Sequence, residues 1–100
     1  MTDINRSESV LVAMKYGTRM CVICRVNFPT WGSVMVDGLR AGYCRPCIVG
    51  IAKLRWQDHN LDATTEWVRE VIASDRIEQE PDVLQVREAM QKIYAKRTEP

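Results

Sequence analysis

Four cysteines, Cys21, Cys24, Cys44 and Cys47, are the residues in this 100-residue chain whose type and spacing best fit a defined chemistry. They form the pattern C-x2-C-x19-C-x2-C. Two cysteines separated by two residues can turn both sulfurs toward one ion from a tight turn, and a second such pair completes a tetrahedron. The spacing therefore predicts one structural Zn2+ ion held by all four side chains, with no coordination position left for an activated water. The competing reading is a pair of redox C-x-x-C motifs or buried thiols. A thioredoxin-like motif needs a surrounding βαβ pattern, which this sequence does not offer.

Other residue types point less sharply. His59 is the only histidine, and no motif sets a nucleophile or an acidic partner beside it, so a polar bend between helices is the expected role. Arg19, Arg25, Arg40, Arg45, Lys53 and Arg55 surround the cysteine pairs. They suit contact with a partner's phosphates or acidic groups, or a solvated face that offsets the charge of an anionic metal cluster. Trp31, with Phe28 nearby, follows the first pair. It is expected to fill the minicore beside the metal, with an exposed partner-binding anchor as the alternative. Trp56 and Trp67 are expected in the core.

The elements that must position the cysteines can be read in order. Ser7 is an N-cap for a first helix over about residues 8–16, which Gly17 stops. After Cys21-Val22-Ile23-Cys24 comes a stretch of turn formers, and then two short runs flank Asp37-Gly38. That pair predicts a two-residue β-hairpin turn, because both residues tolerate positive φ. Alternation puts Val34 with Val36, and Leu39 with Ala41 and Tyr43, each set on one face. Cys44-Arg45-Pro46-Cys47 opens a helix, where Pro46 suits the first turn and where the N-terminal end stabilises thiolate charge. Ile48, Ile51, Ala52 and Arg55 keep helical spacing, although Gly50 costs roughly 1 kcal/mol there. Asp62 is the expected N-cap of a helix over Ala63 to about Ser74, with Trp67, Val68, Val71 and Ile72 as its stripe. A polar run, Asp75 to Glu80, leads to a helix opened by Pro81 that carries Val83, Val86, Met90 and Ile93 on one face. That stripe is expected to pack within the molecule, since two heptads are too few for a coiled coil. Thr98-Glu99-Pro100 forms a tail.

A cysteine knuckle, a hairpin and a second cysteine pair entering a helix resemble the treble-clef type of zinc finger over residues 19–56. Within that group the chain is similar to GATA-type fingers, through Cys21-Val22-Ile23-Cys24, Trp31, Tyr43 and Cys44-Arg45-Pro46-Cys47. It departs from them in a longer loop, in Arg45-Pro46 where those fingers carry Asn-Ala, in Arg25 where a glycine is common, and in lacking a basic tail. The resemblance thus implies the fold, not the DNA specificity. The expected fold is small, α+β and helix-predominant: one domain over 1–100, a treble-clef zinc module at 19–56, an N-terminal helix, and a C-terminal helical pair at 61–97 packed on the module.

Charge bears on partners. Residues 1–60 hold eight Lys/Arg against four Asp/Glu, and residues 61–100 hold six against nine. Four thiolates around a divalent ion leave a double negative charge, which lowers the front half's surplus to about +2. A dedicated nucleic-acid binder is expected to show a much denser basic patch. No run approaches the roughly 18 apolar residues of a membrane span, and the acidic, polar start lacks the features of a signal peptide. An intracellular, cytoplasmic setting follows as the expectation, with thiols kept reduced. The function expected is a non-catalytic zinc-binding regulatory adaptor with a protein partner. Small four-cysteine fingers with flanking helices resemble RNA-polymerase-binding regulators of the DksA/TraR type, which implies transcription machinery as the target. A GATA-like DNA-binding transcription factor is the alternative, and an enzyme ranks behind both.

Overall fold

The computed structural model describes residues 19–36 and 38–98. The helix expected over 8–16, Asp37 and the last two residues of the tail lie outside them. The described chain is small, α+β and helix-predominant, with one short hairpin and three α-helices.

Strands β1 (Gly32–Val36) and β2 (Leu39–Tyr43) pair antiparallel, with Val36 opposite Leu39 and Gly32 opposite Tyr43. Two residues join them, as Asp37-Gly38 predicts, and Gly38 takes a φ of 81°. In β2, Ala41 and Tyr43 are fully buried and Leu39 packs against the core, while Arg40 is exposed; Gly42, on the other face, is buried too. A third piece of chain joins β2 from the other side. Cys21 forms a parallel bridge with Gly42, and the Val22 amide donates to the Gly42 carbonyl at 2.9 Å.

Helix α1 (Arg45–Arg55) starts from Cys44, an extended N-cap residue, with Pro46 in its first turn. Its buried face is Cys47, Ile48, Ile51 and Ala52. Lys53 and Arg55 sit in the last turn, where they favour the dipole. Gly50 has a packing reason: a Cβ there would lie 3.2 Å from Cγ2 of Val86, so its absence lets the third helix approach closely.

Helix α2 (Leu61–Ala73) begins earlier than the sequence suggested. Asn60, not Asp62, is the N-cap, and its Oδ1 accepts from the Ala63 amide at 3.1 Å. Asp62 falls instead in the first turn, where a carboxylate still favours the dipole. Thr64, Val68, Val71 and Ile72 are buried. Trp67 and Trp56 are half-buried and meet edge to face with centroids 6.4 Å apart, so both border the core instead of filling it.

The run from Asp75 to Glu80 is more than a polar link. It holds a 3-10 turn, Ile77–Gln79, and Ile77 is 1% exposed. Helix α3 (Pro81–Thr98) follows, and takes in Thr98, which the sequence places in the tail. Val83 and Val86 are buried and Met90 packs on the core, but Ile93 is 46% exposed, so the apolar stripe outruns the surface available to cover it.

α1 packs against both α2 and α3, and α2 also lies on β1. The shared core joins Val22, Ile23, Tyr43, Ile48, Ile51, Val68, Ile72 and Val83 to the four cysteines. Each such aliphatic side chain contributes on the order of 1.5–3 kcal/mol when fully buried. Among the described residues, no helix is long and apolar enough to cross a membrane.

Candidate metal centre

The first pair is shaped by backbone hydrogen bonds. The Arg25 amide donates to the Cys21 carbonyl at 2.9 Å, and the Cys21 amide donates to the Asn27 carbonyl at 2.7 Å. The turn needs a left-handed residue after Cys24, and Arg25 supplies it at φ 61°, where a glycine would be cheaper. Placement relative to the second pair comes from β2. The bridge to Gly42 holds Cys21 beside the strand two residues before Cys44. Gly42 itself has no room for a side chain, since a Cβ there would meet Cβ of Pro29 at 2.5 Å and the Gly32 carbonyl oxygen at 3.1 Å. The second pair is placed by α1, with Cys44 as N-cap and Cys47 in the first turn.

The result is one cluster. The sulfurs of Cys21 and Cys47 lie 3.9 Å apart, those of Cys24 and Cys44 3.9 Å, and those of Cys44 and Cys47 3.3 Å. All four lie within 4.8 Å of one another, and all four residues are buried. A tetrahedral ion with metal–sulfur bonds of about 2.3 Å needs sulfur–sulfur edges of roughly 3.8 Å, so the cluster has the size of a zinc site. Every pair is far outside the roughly 2 Å bonding distance of a disulfide, and all four thiols are free.

Hydrogen-bond donors converge on these sulfurs. The Ile23 amide donates to Cys21 Sγ at 3.4 Å and the Cys44 amide to the same sulfur at 3.2 Å. The Asn27 amide reaches Cys24 Sγ at 3.5 Å, and its side-chain Nδ2 reaches Cys44 Sγ at 3.4 Å. Donors aimed at sulfur favour the thiolate form. Without a cation, however, four thiolates this close repel. Hydrogen bonding with Cys21 lowers the Cys24 thiol and holds that of Cys44 at about 7. The Cys21 thiol is pushed up, first by Cys24, and that of Cys47 is pushed up, first by Cys21. A divalent ion removes this conflict, because it lets all four sulfurs ionise together. Bound here, the ion would cross-link the first turn to the N-terminus of α1 and neutralise part of the thiolate charge.

A second set of residues braces the cluster from α3. Arg87, 7% exposed, donates through Nε to the Ile23 carbonyl at 2.5 Å and through Nη2 to the Val22 carbonyl at 3.2 Å. Gln91, one turn later, donates to the Cys24 carbonyl at 3.0 Å. Glu78 accepts from Arg87 and also from Arg25, the latter at 2.5 Å. Burial, and then the neighbouring Arg87, lower the Arg25 guanidinium, while Glu78 opposes the shift. Sequence reasoning missed Glu78, Arg87 and Gln91. The available signal was a cation set into the Val83, Val86, Met90 stripe, where an unpaired charge would be costly.

The basic residues named from the sequence divide by use. Arg25 pairs with Glu78, and Arg55 stacks over Trp67 and Trp56, with centroids 4.4 and 5.1 Å away, and pairs with Asp82 at 3.2 Å. Arg45 lies 5.1 Å over the Trp31 ring. Arg19, Arg40 and Lys53 are exposed. Trp31 does not fill a minicore beside the sulfurs. It is 36% exposed, and its indole N–H donates to Thr65 Oγ1 at 2.7 Å, because Tyr43, 0% exposed, already occupies the interior beneath β1. Phe28 is 73% exposed, and His59 is an exposed loop residue at φ 58°. Among the described residues, the four cysteines are the group of potential ligands that could hold a metal ion. No family model, curated protein or solved structure matches this chain.

Proposed function

We propose that this protein is a non-catalytic adaptor built on a treble-clef zinc finger, whose task is to contact another protein, with a component of the transcription machinery as the target class. The observation that carries the reading is the closed, buried four-sulfur cluster. Its four positions are all filled by protein, which suits a structural ion that organises a surface and leaves no place for substrate. The knuckle at Cys21–Cys24, the hairpin and the helix entered at Cys44 follow in the order of a treble clef. Protein is favoured over nucleic acid because Arg25 and Arg55, two of the six basic residues around the module, are engaged by Glu78 and by Asp82 with the tryptophans. The transcription assignment comes from the likeness in architecture to small four-cysteine RNA-polymerase-binding regulators of the DksA/TraR type.

The test joins two measurements. Native mass spectrometry of freshly purified, reduced protein should show one zinc per chain, and well under one would remove the foundation. Affinity capture after nuclease treatment should retain a specific protein that is lost when zinc is chelated. Tight, salt-sensitive binding to duplex DNA with no protein captured would reverse the reading in favour of a GATA-like DNA binder.

A further inference from the structure

The outer faces of α1 and α3 enclose a groove of about 540 Å3, floored by Pro46, Val49, Gly50, Ala89, Met90 and Ile93. Arg45 and Lys53 form its edge on α1. On α3, Lys96 stands one turn past Ile93 and is exposed, while the nearby Glu88 is paired with Lys92 at 3.3 Å. Among the described residues the floor is thus apolar, and the two charged residues of the lining, Arg45 and Lys53, are both cationic, with Lys96 exposed beyond it on α3. Two further features fix the shape of an occupant. The walls are two helices and not a sheet, so the groove offers no strand edge to which an extended strand could pair. The lining positions on α1, Pro46, Val49, Gly50 and Lys53, follow steps of three, one and three residues, which places them along about two helical turns.

We propose that this groove binds an amphipathic helix of a partner protein, two to three turns long, whose apolar stripe lies on Val49, Met90 and Ile93 and whose flanking acids meet Lys53, Arg45 and Lys96. The inference rests on the adaptor reading above and names its contact surface. Charge complementarity selects an acidic occupant, and the missing strand edge selects a helical one. A nucleic acid would meet few cations and an apolar floor without an aromatic ring to stack on.

A display library of random 16-residue peptides, selected on the full-length zinc-loaded protein, tests it. The enriched peptides should be net acidic and carry apolar residues at i, i+3 or i+4, and i+7. Ile93→Glu should weaken them by about tenfold or more, since it removes an apolar contact and adds a like charge. Lys53→Glu, at an exposed position remote from the core, should weaken the same peptides and keeps the test valid if Ile93→Glu disturbs folding. Enrichment of basic or uncharged peptides, or acidic binders indifferent to both variants, would overturn the proposal. Binding that emerges only after Val10→Glu and Leu11→Glu would assign the groove to this chain's own N-terminal segment. Duplex DNA binding abolished by Lys53→Glu and Ile93→Glu would assign it to nucleic acid. A nuclease-resistant protein captured equally by parent and variants would sink the groove and leave the adaptor standing. If neither peptide nor protein is retained, both readings fail.

Discussion

Replacing Arg87 by methionine tests whether α3 braces the metal centre. Val22 and Ile23 are the two residues between the first pair of cysteines, and both are fully buried. The guanidinium of Arg87 is the charged donor to both of their carbonyls. A hydrogen bond to a charged group contributes roughly 1.5–3 kcal/mol, and an abandoned buried acceptor costs about 1–3 kcal/mol. The pairing with Glu78 adds little to this sum. That carboxylate is 39% exposed, so solvent screens it, and Arg25 remains to hold it. Methionine keeps most of the apolar stem in place. The expected loss is therefore about 2–4 kcal/mol, a large part of the roughly 5–15 kcal/mol that holds a domain together. It corresponds to a fall in melting temperature of about 10–25 °C for a chain of this size. Denaturant and thermal melts should be run at one buffered free-zinc concentration, because unfolding releases the ion. Transfer of zinc to a chromophoric chelator should also become faster. Arg87→Lys keeps the charge but not the planar fork, and should recover only part of the loss. A loss below about 1 kcal/mol for Arg87→Met, with unchanged zinc transfer, would refute the bracing role.

Other outcomes follow from the same structure. Chelating the zinc should unfold the hairpin and α1, read as lost helical circular dichroism and lost amide protection over residues 21–56, because structural zinc contributes an apparent 10–16 kcal/mol or so. Asn60→Ala should cost about 1 kcal/mol in a melt by removing the N-cap of α2, whereas Asp62→Ala should cost less, since it removes only a first-turn charge; equal losses would contradict the observed cap. Gly42→Ala should destabilise by about 1–3 kcal/mol, because its Cβ has no space beside Pro29 and the Gly32 carbonyl; a melt unchanged from the parent would show that the close approach is not required.

The local features of the hairpin and α1 were legible for local reasons. Asp37-Gly38 between two short apolar runs encodes its own turn, and Pro46 encodes a helix start, because each acts on φ and ψ within a few residues. The N-cap of α2 lies two residues earlier than the sequence suggests, since Asn60 and Asp62 are both competent caps and local chemistry does not choose between them. Arg25 shows another limit. An arginine does not itself encode a left-handed backbone, and the one hint was the glycine common at this position in similar fingers; the turn imposes the conformation and the pairing with Glu78 accompanies it.

From the sequence alone, the spacing of Cys21, Cys24, Cys44 and Cys47 determined that two pairs of sulfurs could meet around one ion, because a C-x2-C turn is a local object. How those pairs are held was decided only in three dimensions. The bridge from Cys21 to Gly42 and the side-chain donor from Asn27 to Cys44 join separate elements, and the reach of Arg87 and Gln91 to the carbonyls of Val22, Ile23 and Cys24 joins residues more than 60 positions apart. No periodicity records such contacts, since they depend on where α3 docks. The same docking decides which cations are spent inside the molecule and which remain at its surface, and that is why the sequence pointed to a metal more clearly than to a partner.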